Sequence, residues 1–362
     1  MLQCNLHKTD KLCTITNCRR VDNDAPSALS RQLFMPSMPV TIRDVAEAAG
    51  VSISTVSRAL KNQRGLSDET RRMIRKIASE VGYNAGRLRS AKAKRLVFMV
   101  HRQHSHFSVN PFFSDVLHGV EEACRESGIV PTLLTCGPTD PIREQLRLHE
   151  PDMILAAGFF ETEVLDMVAG LDLPFALIDF SLRDMLAVNP DNTTGGFLAT
   201  RHLLDIGRQR IAYIAGSLAH VSILERAHGY RRALFEAGIL ADPELEVVAP
   251  LGLPHDRGAS AAMQQLLRLR KPPDAVFACN DMAALAALDT CLAAGLRVPE
   301  DVAIAGFDDV QTAASAKPPL TTVRVDRQAL GRMGVELAMQ GDSLPRLNTL
   351  PVELVVRQST VG

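Results

Sequence analysis

Thr41-Ile42-Arg43-Asp44-Val45-Ala46-Glu47-Ala48-Ala49-Gly50-Val51-Ser52-Ile53-Ser54-Thr55-Val56-Ser57-Arg58-Ala59-Leu60 divides at its glycine into two short amphipathic helices. A carboxylate three residues after a hydroxyl, Asp44 after Thr41, is a helix-opening signal. Ile42, Val45, Ala46 and Ala49 then form one apolar stripe, and Gly50 stops the helix. Ser52 is suited to cap the second helix, whose inner side is Val56, Ala59 and Leu60 and whose outer face carries Ser54, Thr55 and Arg58. A third helix, from Ser67 to about Val81, offers Ile74, Ile77, Ala78 and Val81 to the same small core. Short helices about a glycine turn, closed by a third, make a helix-turn-helix head.

Charge divides along the chain in a way its formal net value of −1 conceals. Residues 39–95 carry 13 Lys and Arg against 5 Asp and Glu, whereas residues 96–362 carry 22 against 33. A short basic segment on a long acidic one fits a nucleic-acid head on a body with another task, although charge alone equally suits a solvated basic helix face.

At 362 residues, 46% hydrophobic and 22% charged, the chain is long enough for two or three globular units and too ordinary in composition for a fibrous or low-complexity protein. Nothing approaches a membrane-spanning apolar run or a secretory signal, so a soluble cytoplasmic protein is expected. The seven cysteines, at 4, 13, 18, 124, 136, 279 and 291, have no disulfide-framework or zinc-site spacing and read as reduced thiols. No metal or other cofactor is expected. Residues 1–38 show no sustained period and are expected to be a disordered extension, with Met35 and Met38 as alternative starts.

Beyond residue 95, short apolar β-rich runs alternate with amphipathic helices. Arg95–Val100, Val130–Cys136, Met153–Ala157, Phe175–Phe180, Arg210–Ala215, Ala275–Cys279 and Val302–Phe307 read as buried strands. Helices are predicted over Phe113–Ser127, Thr193–Ile206, Glu225–Ala237, Asp281–Ala294 and Arg327–Met339. This alternation implies parallel sheets covered on both faces, and its length implies two doubly wound α/β lobes. Ligands of such sheets sit beyond the carboxyl ends of the strands.

Val40 to Ala46, Gly50-Val51-Ser52, Ser54 to Arg58 and Ser67 to Arg71 resemble the DNA-binding head of the lactose-repressor (LacI/GalR) family of transcription regulators. So do Asn110-Pro111-Phe112-Phe113, Asp191-Asn192, Gly229 to Leu234, Asn280-Asp281 and the run Gly295 to Asp309, so that the likeness covers nearly the whole chain from residue 39. The resemblance implies a head over 39–83, a hinge over 84–95 and a periplasmic-binding-protein-like body of two lobes over 96–362. It implies a homodimer docked on a roughly palindromic double-stranded operator, each recognition helix in a major groove. Ile53, Ser54 and Arg58 match the base-reading positions, with Arg58 suited to bidentate contact with guanine. Thr41, Ser52, Thr55 and Ser57 offer hydroxyls to phosphates, or for the two serines simply cap or face solvent.

The hinge departs from the family pattern, with Ala85 where a proline is usual and Lys92 where a leucine wedges into the minor groove. Leu88, Arg89 and Lys92 are the candidate minor-groove residues there, and the surrounding cations predict weaker operator kinking. For the cleft, the resemblance implies effector contacts from Phe112, Phe113, Asp179, Arg226, Asn280 and Asp308, with one of the two phenylalanines expected in the core. Carboxylates, an amide and a guanidinium suit a polyhydroxylated, sugar-like ligand.

Three readings stay open for His101-Arg102-Gln103-His104-Ser105-His106: solvated loop histidines, an anion site or a metal site. Gly137–Glu150 is shorter than the family's usual second helix and linker. The chain contains no nucleophile elbow, Walker loop, dinucleotide fingerprint or zinc-protease motif, which argues against an enzyme. A chain ending just after the strand pattern Val352–Ser359 has no heptad tail, leaving a dimer as the expected assembly. The alternative is a regulator of the same fold governed by a protein corepressor or by no ligand.

Overall fold

The computed structural model describes residues 41–60, 65–81, 83, 95–104, 111–182, 184–250 and 255–361. The expectations for residues 1–38, for Leu88, Arg89 and Lys92, and for Ser105 and His106 lie outside the described residues.

The head consists of α1 (Ile42–Ala49), α2 (Ile53–Leu60) and α3 (Asp68–Glu80). Asp44 accepts hydrogen bonds from the Thr41 N–H (2.6 Å) and hydroxyl (2.8 Å), and Gly50 ends α1 at φ 64°. Ser52 accepts from the Thr55 N–H at 3.1 Å, and Ser67 accepts from the Thr70 N–H at 3.2 Å. The periodic apolar positions meet as expected: Val45, Val56, Ala59 and Ile74 are fully buried in one cluster, while Ile77 is only half-buried.

The body contains two six-stranded sheets of identical order. Lobe 1 has β1 (Arg95–His101), β2 (Val130–Cys136), β3 (Met153–Ala157), β4 (Phe175–Ile178), β5 (Ala187–Pro190) and β11 (Leu347–Leu350), arranged β2-β1-β3-β4-β5-β11. Lobe 2 has β6 (Ile211–Ala215), β7 (Glu246–Val248), β8 (Ala275–Ala278), β9 (Ala303–Asp308), β10 (Thr321–Val325) and β12 (Val352–Val355), arranged β7-β6-β8-β9-β10-β12. Every pairing is parallel except β10 with β12, because β12 is entered by a short turn from β11 in the other lobe. Strands such as Met153–Ala157 and Ala275–Ala278 are buried at every residue, which is why they read as continuous apolar runs.

Helices α4 (Phe112–Ser127), α5 (Ile142–His149), α6 (Thr162–Ala169) and α12 (Arg327–Gln340) serve lobe 1. Helices α7 (Asn192–Asp205), α8 (Val221–Glu236), α9 (His255–Leu267), α10 (Asp281–Ala293) and α11 (Gln311–Ser315) serve lobe 2. The chain crosses between lobes three times, and two crossings end in a capping aspartate: Asp191 accepts from Thr194 N–H (2.9 Å) and Asp326 from Ala329 N–H (2.8 Å). Within Gly137–Glu150 the structure places the eight-residue α5.

Each lobe closes on a glycine-mediated helix pair. A Cβ on Gly196 (α7) would lie 2.2 Å from the Arg226 carbonyl oxygen, and one on Gly229 (α8) 2.2 Å from that of Thr193. In lobe 1, Gly331 (α12) and Gly119 (α4) meet Val116 and Gln328 in the same way, at 2.1 Å each. The two lobes are thus built to one plan, with Arg226 of α8 standing where α4 has Val116.

Candidate effector cleft and DNA-reading face

On α2, Ile53, Ser54 and Arg58 are exposed while Thr55 and Ser57 are partly covered. Arg58 Nε donates to the Ser54 carbonyl oxygen at 3.3 Å, which leans the guanidinium along the exposed face. Ser52 Oγ also lies 2.8 Å from Ser54 Oγ and 2.7 Å from Thr55 Oγ1, so the three hydroxyls form one cluster at the helix start. Ile53, 44% exposed, is a large apolar side chain left on a reading face.

In the body, both sheets turn the carboxyl ends of their central strands toward a common cleft. Asp179 immediately follows β4 and Asp308 ends β9, so the two come from opposite lobes. Both occupy left-handed backbone, at φ 55° and 110°, an unfavourable conformation of the kind that concentrates at ligand sites. Asp308 Oδ1 and Asp179 Oδ1 are buried and accept no hydrogen bond among the described residues.

Arg226 lies between them on α8. Its Nη1 is 3.5 Å from Asp308 Oδ1, but the guanidinium is held by others: Nε donates to Asn192 Oδ1 (2.8 Å) and Nη1 to the Cys279 carbonyl oxygen (2.6 Å). Its plane rests over the Phe307 ring, 3.7 Å from the centroid. Asn192 Nδ2 in turn donates to Glu225 at 3.3 Å. Burial pushes the Asp179 carboxyl up to about 7, with Asp308 and Glu225 adding to the rise and Arg226 opposing it. Burial likewise raises Asp308 to about 6, against Arg226 and Arg327, and raises Glu225.

The adjacent Asp309 has the opposite fate. Burial would raise it, yet hydrogen bonds from Arg324 and Arg357, each 2.6 Å, hold it below the usual carboxylate range. Asp281, fully buried below Asp308, accepts from Thr322 and from the Val310 N–H, and burial raises it far above the usual value. Asp309 and Asp281 are therefore satisfied internally, while Asp179 and Asp308 are not.

Of the six cleft residues read from sequence, Asp179, Arg226 and Asp308 converge. Asn280 sits beside them and caps α10, accepting from the Ala283 N–H at 2.9 Å. Phe112 and Phe113, each 4% exposed, both pack in the core, ring to ring at 5.0 Å, so both rather than one are core residues. Phe180, next to Asp179 in the chain, is likewise buried and meets the half-buried Phe159 edge to face at 5.7 Å. Phe159 also meets His220 of lobe 2 at 5.0 Å, bridging the mouth of the cleft.

Asn192, Glu225, Phe307 and Phe159 were not singled out in the sequence. Asn192 had a signal, since Asp191-Asn192 is part of the family likeness, and Glu225 adjoins Arg226. The start of α8 at Val221, four residues before the predicted boundary, is what places Arg226 in the second turn.

His101 ends β1 almost buried, edge-on to Phe160 (5.7 Å) and 3.7 Å from Glu161, and burial holds its pKa below the usual value. Among the described residues no group of three His, Cys, Asp or Glu is placed to hold a metal ion. The described cysteines, 124, 136, 279 and 291, are free and buried, and no described helix is long and apolar enough to cross a membrane.

Comparison with known proteins agrees with this architecture at both ends. Residues 41–85 match the bacterial regulatory proteins of the lacI family, and residues 200–360 match a periplasmic binding protein-like domain. The HTH-type transcriptional repressor PurR of Aliivibrio salmonicida (strain LFI1238) is 31% identical over 315 residues, covering 83% of this chain and 91% of that protein. Among solved structures, a transcriptional regulator CelR–cellobiose complex is 31% identical with a TM-score of 0.67, covering 88% of this chain and 99% of its own. The lac repressor dimer bound to operator and the anti-inducer ONPF is 25% identical with a TM-score of 0.65, covering 90% and 100%. The chain belongs to the lacI family of bacterial regulatory proteins, as an effector-controlled helix-turn-helix transcription regulator and not an enzyme.

Proposed function

We propose that this regulator binds as a homodimer to a near-palindromic operator and that a sugar-like molecule held by Asp179, Arg226, Asn280 and Asp308 sets its operator affinity. The observation that carries this reading is the pair of hydrogen-bond-free carboxylate oxygens, Asp179 Oδ1 and Asp308 Oδ1, offered by opposite lobes beside one guanidinium. A ligand donating to both oxygens favours the closed arrangement of the lobes by its differential binding free energy. Ile53, Ser54 and Arg58 read bases, and Thr41, Ser52, Thr55 and Ser57 meet phosphates. The Thr41 N–H and hydroxyl both donate to Asp44, so a phosphate contact from Thr41 requires its hydroxyl to turn away from that carboxylate. Domain limits follow the same reading, with the head over 39–83, the hinge over 84–95 and the body over 96–362.

The test is thermal unfolding of the full chain against a panel of neutral sugars, amino sugars, sugar acids and sugar phosphates, followed by operator titration with each stabilising compound. A ligand at about 100 times its Kd adds roughly 2.7 kcal/mol of stability. A shift together with an altered operator affinity supports the reading; no shift from any member, in dimeric folded protein, transfers control to a protein corepressor or to no ligand.

A further inference from the structure

Two features of the cleft bear on the charge of its occupant, granted the reading above that this cleft is the effector site. The first is charge imbalance. Among the described residues, Asp179, Asp308 and Glu225 surround one guanidinium, Arg226. Arg327, whose charge also acts on Asp308, pairs with Asp115 at 2.8 Å and donates to the carbonyl, not the carboxylate, of Asp308. The second is the pair of buried acceptors, Asp179 Oδ1 and Asp308 Oδ1, with no hydrogen-bond donor among the described residues upon them. A buried carboxylate excess is costly unless a cation or a proton accompanies it.

From these we infer that the effector is a cationic polyol, a hydroxyl-rich small molecule carrying an amine, with amino sugars as its chemical class. An ammonium brings several donors and one positive charge to the point where the two free acceptors and the excess charge coincide. A sugar acid or phosphate meets the reverse situation, facing three carboxylates with a guanidinium whose Nε and Nη1 are already bonded to Asn192 and Cys279. The same cleft without ligand holds its balance by retaining protons. Asp179, facing Arg226 and Glu225 on α8 and Asp308 on β9, stands near 7, so an arriving ammonium displaces a proton that a neutral sugar leaves in place.

The experiment is isothermal calorimetry of the full-length protein with glucosamine, galactosamine and mannosamine, each beside its parent hexose, its N-acetyl derivative, the corresponding sugar acid and the hexose phosphate. Runs in buffers of different ionisation enthalpy count the protons released. The amine form of at least one sugar binds about tenfold or more tighter than its parent and N-acetyl forms, as one displaced pKa unit requires, and its binding releases protons. Asp179→Asn, shown folded by its unliganded melting curve, loses that preference and the proton release.

Equal or tighter binding of the parent hexose, or tightest binding of a sugar acid or phosphate, overturns the cationic assignment and leaves the effector reading standing. Binding by no compound in the panel overturns both.

Discussion

The guanidinium of Arg226 and the carboxylate of Asp308 stand 3.5 Å apart with no hydrogen bond between them. Arg226 is anchored by Asn192, Cys279 and Phe307, so it supplies a fixed positive charge while the Asp308 oxygen is kept for something else. The arrangement predicts a strong loss when the cation is removed. Arg226→Ala should cost on the order of 3–5 kcal/mol in alkaline solution, as breaking a buried pair does, and less at and below neutral pH, where the stranded carboxylates, no longer opposed by Arg226, hold protons. Arg226→Lys should restore little, because an ammonium cannot hold the Asn192, Cys279 and Phe307 contacts together. Urea unfolding of both variants at two pH values checks this; equal losses at both pH values would sink it.

Gly196 positions Arg226 without touching any ligand. The carbonyl oxygen of Arg226 lies 2.2 Å from where a Cβ at Gly196 would stand, and the neighbouring atoms are backbone that cannot swing aside. Gly196→Ala should therefore part α7 from α8, destabilise by roughly 1–3 kcal/mol and weaken effector binding with the cleft chemically intact. Gly137→Ala, with open space around its position, serves as the matched control and should be close to neutral. Melting temperatures and ligand titrations of the two variants decide the point.

The contrast between these residues explains how far the sequence could be read. Buried parallel strands such as Phe175–Ile178 and Ala275–Ala278 announce themselves as apolar runs, and Asp179, Asn280 and Asp308 follow at their ends. Short or edge strands escaped: β7 has three residues, β5 ends in Pro190, and β11 alternates weakly between exposed and half-buried positions. Cleft partners supplied by distant elements were invisible for another reason. Nothing local to Phe307 says that a guanidinium from α8 will lie on it, and nothing local to Phe112 and Phe113 says that both will be taken into the core.

The raised cleft carboxylates contribute a stability that declines as pH rises, opposite in sign to the contribution of lowered carboxylates such as Asp309 and Asp301. Asp179 titrates at about 7 when folded against 3.8 as its ordinary value, and Asp308 at about 6. Between those limits the folded state holds more protons than the unfolded state, so their contribution falls as pH increases from about 4 to 7. Asp179→Asn removes its share of that slope and should raise the melting temperature at neutral pH, a gain in stability at a site held for binding. A parallel decline in variant and parent would refute the assignment.

Arg58 on the recognition helix separates base reading from phosphate contact by two independent measurements. Its guanidinium lies along the exposed face, tied through Nε to the Ser54 carbonyl, with Ile53 and Ser54 beside it. If it bonds a guanine edge, Arg58→Ala should cost about 1–3 kcal/mol on the preferred operator and relax preference at one base pair. Binding to unrelated DNA should change little, and the slope of log affinity against log salt should stay close to that of the parent. A phosphate contact gives the opposite pattern, a uniform loss across sequences with the salt slope reduced by about 0.9. Thr55→Ala, which removes a hydroxyl but no charge, should weaken all sequences alike with the slope unchanged, so fluorescence anisotropy on operator and scrambled duplexes at several salt concentrations distinguishes the two roles.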